Sequence, residues 1–141
     1  MSKKKKKELV PDYVFDVDVY NMNIAVFFSA KSADNYFHKE WGQEADHYQT
    51  DMTDHTQGMA FLFETETGGL IHGVILPTMP QPEILAHECS HLVDMISQSV
   101  GMPCTMDTTE PRAYLMQYLY STILQPCLEW KKEHPEWPNS D

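Results

Sequence analysis

Residues 82–103 read Pro82-Glu83-Ile84-Leu85-Ala86-His87-Glu88-Cys89-Ser90-His91-Leu92-Val93-Asp94-Met95-Ile96-Ser97-Gln98-Ser99-Val100-Gly101-Met102-Pro103. This stretch carries its own start and stop signals. Pro82 suits a first helical turn, and Gly101 with Pro103 suits a helix end. At about 100° per residue, Leu85, Cys89, Leu92, Ile96 and Val100 fall within a stripe roughly 80° wide. The spacing predicts a helix with one core face. Cys89 belongs to that face and reads as a buried, inert thiol.

On nearly the opposite side lie His87 and His91, the two histidines of His87-Glu88-Cys89-Ser90-His91, which fits His-Glu-x-x-His. His87 and His91 stand one turn apart and about 40° from each other, so two imidazoles can reach one metal ion. Glu88 sits on the flank of the pair, about 60° from His91. From there its carboxylate can reach a metal-bound water without binding the metal, which is the place of a general base. Zinc is the expected ion, since it brings its water to a pKa of about 7. The bland alternative is a histidine pair on a solvated face. A catalytic zinc commonly takes three protein ligands. The third candidate is Glu110, nineteen residues after His91 and at the start of the next predicted helix. Asp107 is the second choice. Asp94, three residues past His91, suits better a carboxylate that fixes an imidazole tautomer.

Upstream, β-formers are dense from Tyr13 to Phe28, with Asn21, Met22 and Asn23 between two runs, so a strand pair or one bent strand is expected. Tyr13, Phe15, Val17 and Val19 alternate with Asp12, Asp16 and Asp18, which predicts one wet face. Ser32 is placed to cap a helix over 33–41 ending at Gly42. Residues 43–58, with Asp46, His47, Asp51, Asp54 and His55, read as a loop or lid. Residues 59–65 and 70–76 flank Gly68-Gly69, a hairpin signal. Downstream, a second helix is expected from Thr108 or Thr109 to about Leu124, limited by Pro126. Pro111 sets Glu110 at a helix cap or in a first turn. Tyr114 would share the face of Glu110, where its hydroxyl could donate to an oxyanion; packing is the alternative role. Arg112 is expected to pair with Asp107, and His72 to be an ordinary strand histidine. His38, His47, His55 and His134 read as surface residues.

The chain has 141 residues and is 42 % hydrophobic, enough for one domain with a core. The expected division is a basic tail over 1–10, a domain over 11–128 and a loose polar tail over 129–141. The formal net charge of −11 argues against a nucleic-acid-binding body. The one basic run is Lys3 to Lys7. No stretch is apolar enough to span a membrane, and no secretory signal follows the lysines, so the cytoplasm is the expected compartment. Three cysteines without a Cys-x-x-Cys pair point to reduced thiols.

His87-Glu88-Cys89-Ser90-His91 followed by Glu110 resembles the gluzincin branch of the zincin metallopeptidases, in particular its minimal single-domain members and small phage or prophage proteins. The resemblance covers roughly residues 59–125. It implies an α+β fold: a small mixed sheet, an active-site helix and a following glutamate-bearing helix. It also implies a zinc peptidase with a peptide or protein substrate. His87, His91 and Glu110 would bind Zn²⁺, Glu88 would be the base, and residues 70–76 would form the edge strand that pairs with substrate. Thr108 and Thr109 stand where the family has an asparagine before its ligand glutamate. Two rival expectations are a non-catalytic, zinc-stabilised interaction module on the same scaffold and an acidic surface that binds basic proteins.

Overall fold

The structure, a computed structural model, describes residues 11–41, 57–64 and 69–140. The basic tail, the end of the first helix at Gly42, most of the expected loop and the Gly68 side of the hairpin lie outside those residues.

The β-forming run near the N-terminus splits into two strands, β1 (Tyr13–Val17) and β2 (Met22–Phe27). A 3-10 turn, Asp18–Tyr20, separates them, and Asn21 closes it at φ 50°, a left-handed conformation that Asn tolerates better than most side chains. The strands pair antiparallel, Phe15 opposite Ile24. Phe15 and Val17 are buried as the alternation predicts, but Val19 is carried out of the strand by the turn and lies 87 % exposed.

Helix α1 (Ala30–Trp41) begins earlier than expected. Ser29 does the capping rather than Ser32: its hydroxyl oxygen accepts the Ser32 amide at 3.0 Å. Strands β3 (Met59–Glu64) and β4 (Leu70–Ile75) pair antiparallel, as the hairpin reading required. β4 also pairs parallel with β2, giving one mixed sheet in the order β1-β2-β4-β3. Residues 70–76 therefore do not form an edge. The reason is legible in burial: His72, Gly73, Val74, Ile75 and Leu76 are all buried, so both faces of β4 are covered. The edges are β1 and β3.

One sheet face packs on α1 through Ala25, Phe27, Phe61 and Ile75 with Ala33 and Phe37. The other carries the larger core: Ile24, Val26, Val74 and Leu76 against two further helices. The first, α2 (Pro82–Ser99), has the predicted start, and Gly101 at φ 72° follows its end. Its buried face holds Leu85, Cys89, Leu92 and Ile96, whereas Val100 falls outside the core.

The second, α3 (Thr109–Glu133), runs past Pro126. A proline inside a helix removes one hydrogen bond and costs about 3 kcal/mol or more. The continuation offsets it by burying Pro126 and Cys127 and stacking Trp130 on Phe28 at 4.7 Å. The expected loose tail over 129–141 is instead built into the fold. Trp137 is buried, and its indole N–H donates to the Phe28 carbonyl at 3.1 Å. Ser140 then reaches the loop ahead of α2, where its hydroxyl oxygen accepts the Gln81 amide at 2.8 Å. Among the described residues the domain is thus α+β, a four-stranded mixed sheet with three helices. No helix among them is long and apolar enough to cross a membrane.

Candidate metal centre

The core face of α2 fixes its other side. Because Leu85, Cys89 and Leu92 are locked into the interior, His87 and His91 must project outward, and both are exposed. Their rings meet edge to face, with centroids 4.7 Å apart and planes at 83°. The two Nε2 atoms stand 3.2 Å apart. At that distance both cannot carry a hydrogen; they share either one proton or one cation. Two nitrogens on a tetrahedral zinc, each at about 2.05 Å, stand roughly 3.3 Å apart. The separation is that of two ligands on one zinc ion and equally that of a single N–H···N hydrogen bond.

Glu88, between the two histidines in sequence, is buried and only 6 % exposed. It lines a cleft of about 380 Å³ with Gln57, Gly58, Glu83, Ile84 and His87. Gly58, one residue ahead of β3, lies against it: a Cβ there would stand 3.0 Å from Glu88 Cγ and 3.3 Å from Oε1. The edge strand beside the motif is accordingly β3, not β4. Nothing in the sequence ties Gly58 to Glu88. The only signal is a glycine just before a β-forming run, and its meaning depends on the sheet order.

The structure does not gather the proposed third ligands. Among the described residues, no three His, Cys, Asp or Glu side chains form a group able to hold a metal ion, although Asp94, Asp107 and Glu110 are all described. All three are exposed. The placement of α3 bears on Glu110, which lies in the first turn of that helix. Its neighbour Pro111 lines a cleft with Val17 to Tyr20 at the end of β1, not the cleft that His87 and Glu88 line. Asp94 stands on the same helix as His91, about 60° from it around the axis.

Tyr114 is 67 % exposed and lines a different cleft, with Pro111 and Tyr118 and against the end of β1. It is not brought to Glu88. Arg112 donates to Thr108 Oγ1 at 3.1 Å and to the Thr105 carbonyl at 3.1 Å; these bonds, rather than one to Asp107, hold it. His134 is half-buried and stacks on Trp130 at 3.8 Å.

His72 is a strand histidine, and a buried one. Ser99 Oγ donates to the Met95 carbonyl at 2.9 Å, so it accepts from His72 Nε2, also at 2.9 Å. Nδ1 is then buried without a hydrogen-bond partner. Burial lowers the His72 pKa from 6.5, outweighing the nearby Met95 carbonyl, which raises it. Cys89 is fully buried, as expected of its face. Burial, and then the Glu88 charge, push its thiol up to about 12.

No family model, curated protein or solved structure matches this chain.

Proposed function

We propose that this chain is a zinc-dependent peptidase, with His87 and His91 as metal ligands and Glu88 as general base. The observation that supports it is the convergence of the two Nε2 atoms at 3.2 Å beside a cleft holding the Glu88 carboxylate. Zinc, when bound, supplies the positive charge that acidifies a water and polarises a scissile carbonyl. Glu88 takes the proton of the attacking water at its carboxylate and returns it to the leaving amine. Its low exposure keeps bulk water away from that transfer. β3, an end strand of the sheet among the described residues, begins beside Glu88 and would offer backbone groups to an extended peptide.

Zinc content and proteolysis test the reading together. The full chain should bind one zinc ion and cleave an unstructured polypeptide. His87→Ala and His91→Ala should each abolish tight zinc binding. Glu88→Gln should keep the zinc and lose about 10²–10⁴-fold in kcat. Undiminished turnover in Glu88→Gln removes Glu88 as the base, and a chain that neither binds zinc nor cleaves polypeptide overturns the peptidase.

A second reading is a zinc-stabilised interaction module without catalysis. It uses the same histidine pair and needs two further protein donors, none of which joins the histidines among the described residues. X-ray absorption separates the two. Four protein ligands and no exchangeable water support the module; a coordinated water supports the enzyme.

A further inference from the structure

The edge of the sheet away from His87 carries a second cleft that the peptidase reading does not use. Its volume is about 440 Å³, and it lies between the turn after β1 and the start of α3. Val17, Val19 and Tyr20 form one wall; Pro111, Tyr114 and Tyr118 form the other. It shares no lining residue with the cleft at Glu88.

Over a floor of buried Val17 and Leu115, three of its side chains are presented rather than buried. Val19 is 87 %, Tyr114 67 % and Tyr118 42 % exposed. The Asn21 turn holds Val19 outward, and the Tyr118 hydroxyl donates to the Asp16 carbonyl at 2.6 Å. That bond fixes the ring before anything binds, so little side-chain freedom remains to be lost on docking. The aromatic wall continues through Phe15, 6.1 Å from Tyr118, to Tyr13, which is 37 % exposed.

The charge around this apolar cleft is predominantly negative. Asp18 lines it, Asp16 precedes its Val17, Glu110 precedes its Pro111, and all three are exposed. Arg112, the base on the α3 side, is committed to Thr108 and the Thr105 carbonyl. An acidic rim repels nucleic acid and anionic lipid. The body of a second copy is repelled as well, since the chain is at net −11 even with the basic run Lys3 to Lys7 included. A Lys or Arg is attracted by the same carboxylates and can rest on the face of Tyr114.

We propose that this cleft docks a cationic segment of a partner polypeptide. One apolar side chain of the segment would enter between Val19 and Tyr114, and flanking Lys or Arg residues would meet Asp18 and Glu110. The surface is independent of the histidine pair and stands whether or not the chain is a peptidase.

The test uses the full chain and a labelled synthetic peptide of Lys residues around a central Leu and Phe, read by fluorescence anisotropy. Saturable binding is expected, weakening several-fold when salt rises from about 50 to 500 mM. The same peptide with Glu in place of Lys should not bind. Tyr114→Ala and Val19→Ser change exposed side chains and should weaken binding about ten-fold or more, while Asp18→Asn should weaken it a few-fold. The far-ultraviolet circular dichroism of each variant should match the parent. Equal affinity in Tyr114→Ala, equal binding of the Glu peptide, or no binding of the Lys peptide overturns the proposal. So does a dimer in sedimentation that Tyr114→Ala dissolves, since a second copy would then be the occupant.

Discussion

Position 58 holds glycine where the Glu88 side chain fills the space a methyl group would take, 3.0 Å from Cγ. Alanine there must push the carboxylate aside. On the proposed reading of Glu88 as the base, Gly58→Ala should lower kcat roughly ten-fold by displacing that carboxylate, with zinc content unchanged. Steady-state kinetics beside metal analysis checks this; a loss of zinc instead would place the damage at the histidines. Glu110 offers the converse case. Because it is not gathered with the histidine pair, Glu110→Gln should leave zinc affinity unaltered, measurable by chelator competition. A ten-fold loss would mean that Glu110 reaches the metal after all. The thiols divide in the same local way. Cys89 and Cys127 are buried and pushed up to about 12, whereas Cys104 is exposed. In the native protein only Cys104, among the described cysteines, should react quickly with a thiol reagent.

At the scale of elements, the C-terminal residues act on the helix that carries the motif. Pro138 and Ser140 exchange backbone hydrogen bonds with Met79 at 2.7 and 3.0 Å, and the Ser140 hydroxyl accepts the Gln81 amide. Gln81 is the N-cap of α2 and makes no side-chain cap of its own. Ser140 thus satisfies a backbone donor at the helix entry that the local sequence leaves open. Ser140→Ala should cost about 1 kcal/mol. Removing residues 135–141 also deletes buried Trp137, and should cost about 3–5 kcal/mol. Urea denaturation measures both. Faster amide exchange over the first turns of α2 in the truncated chain would locate the effect at the helix entry rather than in the global fold.

For the molecule as a whole, the buried titratable groups set a pH window for stability. The His72 pKa is lowered by folding, so its contribution is present above 6.5 and is lost as pH falls through that value. Cys89 and Cys127 are raised from 9.0 to about 12, so theirs is present below 9.0 and is lost as pH rises toward 12. Denaturation midpoints should therefore fall on both sides of the neutral range. His72→Gln, which cannot take up a proton there, should flatten the part of the acid-side fall that lies just below 6.5. An unchanged acid limb in that variant would assign the fall to carboxylates instead.

Sequence alone determined what depends on neighbours within a turn or two. The α2 helix, its core stripe through Leu85, Cys89 and Leu92, and the one-turn spacing of His87 and His91 follow from helical periodicity and from Pro82 and Gly101. The β3–β4 pairing followed in the same way. Tertiary structure decided what depends on packing between distant segments. β4 became interior because β2 pairs with it in parallel. Pro126 stayed inside α3 because Trp130 and Cys127 had a core to enter. The last residues became ordered because Trp137 found Phe28. The site divides along the same line: the imidazole pair belongs to one helix and is written in its residues. The position of Glu110 depends instead on where the start of α3 packs, beside the turn after β1, which a motif spacing does not contain.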